Sequence, residues 1–71
     1  MGEDTKKINQ GVLEAIRITG SQFALAELLG VSQPAVYHFL HENVSGERAL
    51  QIEKVTGVPK EKIRPDLFAK L

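Results

Sequence analysis

The sequence predicts a compact all-α fold of four to five helices, the fifth resting on a single short turn toward the C-terminal end. Three observations carry that expectation. Apolar residues recur at the three- and four-residue intervals of an amphipathic helix, as in Ile8, Val12, Ala15 and Ile16. Gly20, Gly30 and Gly57 each stand just past such a segment, where a helix ends with a residue free to turn left-handed. Nowhere do apolar and polar residues alternate as they do in a half-buried strand.

The elements follow in order. The first helix runs from Ile8, with Leu13 beside its apolar set, and stops at Gly20. Ser21 can cap a second helix, whose apolar set is Phe23, Ala24, Leu25, Leu28 and Leu29; it ends at Gly30 after barely two turns. Ser32 can cap a third, because Pro34 is tolerated in a first turn. A residue before proline resists the helical region, so this start can slip to Gln33. Asn43 to Gly46 reads as a loop. Ser45 then caps a fourth helix with Ala49, Leu50, Ile52 and Val55 inward and Gly57 at its end. The tail VPKEKIRPDLFAKL allows one turn over Lys60–Ile63, a break at Arg64–Pro65, and a last turn. Residues 1–6 are polar and expected to fray. With no linker, repeat or low-complexity segment, residues 1–71 read as a single domain.

Composition narrows the function classes. A chain of 71 residues buries a modest core and gains from a partner subunit. The absence of cysteine excludes disulfides and thiolate metal sites. The apolar runs are too short to span a membrane, and MGEDTKK lacks the apolar stretch of a signal peptide, which points to the cytoplasm. Nine basic and nine acidic residues give a formal net charge of zero, so the placement of the charges matters more than their sum. Between Arg17 and Arg48 there is no Lys or Arg at all.

The sharpest local feature is the pair of short helices joined by Leu29-Gly30-Val31-Ser32. Glycine there permits a positive φ and folds the second helix sharply across the first. Ala26, four residues earlier, is small enough for close crossing, and Val31, Val36 and Phe39 can fill the wedge. Together these read as a helix-turn-helix from about Gln22 to His41. A plain corner between bundle helices would also break at glycine, but it would not require this joint spacing.

On the third helix, Ala35, Val36, Phe39 and Leu40 share one arc, and Gln33, Pro34, Tyr37, His38 and His41 share the opposite one. A merely solvated face would more often carry Glu and Lys. Neutral hydrogen-bonding side chains, with Ser32 and Gln33 at the N-terminal end, suit base edges in a major groove. The segment HFLHE, Val31-side of the loop, also raises metal binding. Its histidines are three apart, but His-x-x-His-Glu is not the zincin order His-Glu-x-x-His, and no further His or Cys completes a shell. No phosphate-binding glycine loop, activated serine or paired carboxylate occurs either. An enzyme is not expected, and no cofactor.

From about Gly20 to Phe68 the chain resembles the Cro-like phage repressors, and most closely the YdaS-type antitoxin and repressor group. The likeness rests on GSQFALAELLGVSQPAVYHFL, then ERALQIEKVTGV, then IRPDLF. Many helix-turn-helix proteins share the first part; the combination with the other two is more specific. The resemblance implies a compact lambda-repressor-like domain that represses transcription, usually as a dimer on a palindromic operator. By position in the family motif, Gln22 matches a phosphate contact. Ser32, Gln33, Pro34, Tyr37, His38 and His41 match positions facing bases and backbone. Many relatives carry a basic residue or Trp near Tyr37-His38-Phe39, and this chain does not, which leaves the operator sequence open.

On that reading the neutral strip reads bases, while flanking cations supply the salt-sensitive phosphate attraction. Arg48 is the best basic candidate, since the Asn43–Gly46 loop follows the third helix directly; a surface pair with a nearby acid is its plainer reading. Leu67, Phe68 and Leu71 are too apolar for a free tail and should fold back on the core or form a dimer contact. The alternative is an antitoxin or adaptor whose main partner is a protein, such as a toxin, with DNA binding kept for autoregulation.

Overall fold

The computed structural model describes residues 8–68. Among the described residues six helices follow one another: α1 (Gln10–Thr19), α2 (Gln22–Leu29), α3 (Gln33–His41), α4 (Gly46–Thr56), α5 (Lys60–Ile63) and α6 (Pro65–Phe68). The fold is all-α, as the sequence predicts, and both turns of the tail form where a fifth helix alone was in question. The expected fraying of residues 1–6 and the place of Leu71 lie outside the described residues.

The helix boundaries follow from local chemistry. Asn9, Ser21 and Ser45 each cap a helix, accepting the backbone N–H three residues on, at Val12, Ala24 and Arg48. At the start of α3 the Ser32 hydroxyl makes no such bond; its backbone carbonyl takes the amides of Ala35 and Val36 instead. Glycines in the left-handed region close α1, α2 and α4.

Helix α1 packs against α2, α3, α4 and α5, so the core gathers around it. Val12 and Ala15 of α1 meet Leu25, Ala26 and Leu29 of α2, Val36 and Leu40 of α3, and Ala49 and Ile52 of α4 in one buried cluster. Val44 from the loop, Val58 and Ile63 complete it. Each buried Val, Leu or Ile among them contributes roughly 1.5–3 kcal/mol of transfer free energy.

Ile8, 38% exposed, lies ahead of α1, and within the helices four residues of the expected apolar sets do not face inward. Phe23 is 72% exposed, and Leu28, Leu50 and Val55 are exposed as well. The cause is angular. At about 100° per residue, Leu50 lies about 200° round from Ile52, on the side of Lys54. In α2, Leu25 and Leu29 share the core face with Ala26, and Phe23 and Leu28 fall on opposite flanks of it. Apolar type alone did not distinguish face from flank.

Two devices join the ends of the domain. Asn9 is bonded to three elements: its Oδ1 caps α1, its backbone N–H donates to the Leu40 carbonyl at 2.9 Å, and its Nδ2 donates to the Ile63 carbonyl at 2.9 Å. Arg64 donates to the Val44 carbonyl and grips Asp66 with Nε and Nη2. That pairing holds the Asp66 carboxylate below its ordinary range and the Arg64 guanidinium above its own. Phe68 packs on the core, and Leu67 stays exposed. The tail therefore folds back in part, leaving one apolar residue outward. Among the described residues no helix is long and apolar enough to cross a membrane.

Candidate nucleic-acid interface

The turn between α2 and α3 closes on Gly30, whose φ of 73° and ψ of 30° lie in the left-handed region. Its N–H donates to the Glu27 carbonyl, and the Val31 N–H donates to the Ala26 carbonyl at 3.0 Å. These bonds satisfy carbonyls at the end of α2 while the chain reverses. Buried Ala26 and Val36, with partly buried Val31 and Phe39, fill the wedge behind the turn. The helix-turn-helix therefore stands where the sequence located it.

Packing on that wedge decides what α3 presents outward. Val36 and Leu40 are buried, so the opposite side of an amphipathic helix must face solvent. Pro34, Tyr37 and His38 are exposed there, with Ser32 just before the helix; Gln33 and His41 are half-buried at its margins. The structure thus puts Pro34, Tyr37 and His38 on the exposed side of α3, with Gln33 and His41 at its margins and Ser32 at its N-cap. His41 and Tyr37, one turn apart, pack with ring centroids 4.2 Å apart and planes tilted by 38°, which steadies both rings.

Each margin of the strip is tied to a neighbouring helix. On one side the Gln33 carboxamide donates through Nε2 to Oε1 of Gln22, linking the first turns of α3 and α2. Gln22 and Gln33 therefore act as a pair. On the other side, the Arg48 guanidinium of α4 lies over the Phe39 ring, 5.4 Å from its centroid. Phe39 follows His38 directly, and their rings meet edge-on with centroids 6.5 Å apart. Arg48 thus borders the strip. Among the described residues it pairs with no acid, as the plainer reading of it would have required; its Nη1 donates to Oε1 of Gln51.

Two contributors escaped the sequence reading. Gln51 gives no signal, because a glutamine on a helix surface is ordinary. Asn9 is a standard capping residue three positions before Val12, but Ile8 draws the predicted helix start two residues ahead of Gln10. The histidine pair is not gathered with other ligands: among the described residues no three His, Cys, Asp or Glu side chains could hold a metal ion together.

Comparison with known proteins agrees with this architecture. The family model described as "Bacterial toxin YdaS" matches residues 12–71. The protein named "Putative transcriptional regulator YdaS" of Escherichia coli (strain K12) is 38% identical over 66 residues, spanning 87% of this chain and 67% of its own. No solved structure matches. With its helix-turn-helix and its closing tail both inside the matched span, the chain belongs to the YdaS family.

Proposed function

We propose that this protein is a sequence-specific DNA-binding regulator of transcription that reads a palindromic operator as a homodimer and represses from it. The observation that carries the reading is the turn at Gly30, which packs α3 by one side and leaves Pro34, Tyr37, His38 and His41 along the other. A helix held this way fits a major groove with its N-terminal residues toward base edges. Ser32, Gln33, Pro34, Tyr37, His38 and His41 read or border the bases; Gln22 and Arg48 meet phosphates. Gln33 can address adenine with the amide edge left over from its bond to Gln22, and Pro34 can touch a thymine methyl. The printed name of the Escherichia coli relative supports a regulatory role.

Among the described residues Arg48 is the one cation beside the strip, so phosphate attraction per subunit is small, and two subunits on one operator make up the difference. On this reading the protein acts on the nucleoid in the cytoplasm, and no reaction is assigned to it. The test is a titration of duplex DNA from the gene's own promoter against random duplex of equal length. Preference for the promoter supports the reading; equal affinity contradicts it.

A second reading draws on the family description, which says toxin, and on Phe23, 72% exposed in the first turn of α2. In it the main partner is a protein, and DNA binding serves autoregulation. Phe23→Ser then abolishes a protein complex while leaving promoter binding unchanged.

A further inference from the structure

Arg48 is fixed at two points rather than waving from the surface. Its guanidinium rests over the Phe39 ring, and its Nη1 is bonded to Oε1 of Gln51, one turn further along α4. Gln51 is fixed in its own right. Its Nε2 donates at 3.1 Å to the carbonyl of Leu29, the last residue of α2, immediately before the turn glycine. With the donor end of the carboxamide held by Leu29, its oxygen is turned toward Arg48. A guanidinium carries five N–H donors. Among the described residues no other hydrogen bond or ion pair engages this one. One edge is braced, and the rest is free.

We propose that Gln51 is a positioning residue for DNA binding, which holds Arg48 pre-oriented along the Phe39 margin of α3 so that its free donors meet a phosphate. This rests on the DNA-binding reading above. The physical reason is entropic. A mobile arginine must be immobilised when it grips an anion, which weakens binding, and a braced one has already lost that freedom. It matters more here than in a basic protein, because no other Lys or Arg lies between Arg17 and Arg48. The bond to Leu29 adds a geometric link. Arg48 is registered to the end of α2 through Gln51 and to α3 through Phe39, so its position follows the helix-turn-helix itself.

The experiment is a double-variant cycle on the full chain, using promoter duplex, with Gln51→Met, Arg48→Ala and the pair. Arg48→Ala should reduce the slope of log affinity against log salt by about one. Gln51→Met should weaken binding roughly three- to tenfold when Arg48 is present and add nothing when it is absent. Phe39→Leu, which removes the ring beneath the guanidinium but keeps an apolar side chain, should behave as Gln51→Met does. Independently of DNA, NMR relaxation at Arg48 Nε should give an order parameter near the rigid value of about 0.85 in the native chain, falling below about 0.6 in Gln51→Met. Equal weakening by Gln51→Met with and without Arg48 would show that Gln51 only supports the fold, and would overturn the proposal. So would a mobile Arg48 in the native chain. Native protein that binds no DNA removes the DNA reading and this proposal together, whereas native binding with additive substitutions removes this proposal alone.

Discussion

Gly30 is a residue whose requirement can be stated as one dihedral angle. A Cβ built there meets nothing within 4 Å, so the cost of any other residue comes from its φ of 73° and not from crowding. Asparagine should be tolerated best, alanine should cost about 1–2 kcal/mol, and valine more, because β-branched residues resist the left-handed region most strongly. Denaturant titration of the three variants checks that order; native stability in Gly30→Val would mean the turn lies elsewhere. Gly11 needs glycine for the opposite reason. A Cβ there would stand 2.6 Å from Ile63 Cγ1 and 2.9 Å from the Ile63 backbone, so Gly11→Ala should push α5 off α1 at a cost of roughly 1–3 kcal/mol. Asn9→Ala removes a cap and the bond to the Ile63 carbonyl, and should cost about 1–3 kcal/mol in the same assay.

At the scale of elements, helix ends were more legible than helix faces. Ser21, Gly20, Gly30, Ser45 and Gly57 announced boundaries because capping is local chemistry, decided within three or four residues. Faces are settled by partners distant in sequence, which is why Phe23, Leu28, Leu50 and Val55 were misplaced. The burial of Val44 and Val58, outside any helix, had no period to reveal it. The candidate site divides the same way. Val36 and Leu40 defined its outward arc, while the Gln22–Gln33 and Gln51–Leu29 bonds join residues 11 and 22 apart and left no local trace.

Two predictions belong to this scale. On α3, Gln33→Ala should leave the fold intact and lose roughly 1–3 kcal/mol of preference for the operator, while Arg48→Ala weakens all duplexes alike. Competition binding separates the two; uniform weakening by Gln33→Ala would contradict a base-reading role. On α6, the Arg64–Asp66 pair makes the tail acid-sensitive. Asp66 in the folded chain is held below its ordinary range, so the stability it contributes is present above the unfolded value, near pH ~3.9, and is lost as pH falls through the lower folded value. Arg64 stays charged throughout. Phe68 ring shifts should therefore move toward unstructured values in acid before the core helices melt, and Asp66→Asn should loosen the same ring at neutral pH. A Phe68 signal that changes only with global unfolding would show that the pair does not hold α6.

For the molecule as a whole, the charge balance sets the character of any DNA complex. Zero formal net charge gives little long-range attraction, so non-specific binding should be weak and most of the affinity should depend on contacts that fit. A small reading strip braced on both margins suits that regime, since rigid side chains give up less freedom on docking. On the proposed reading two subunits share a symmetric site, with exposed Leu67 in the C-terminal turn one apolar point still open to a partner. The most direct measurement is the affinity for duplex DNA of the gene's own promoter, set against random duplex, over a range of salt concentrations. The account predicts a preference of roughly a thousandfold or more, retained in part as salt rises and reduced in Gln33→Ala. Equal affinity for both duplexes at every salt concentration, or no binding to either at low salt, would contradict it.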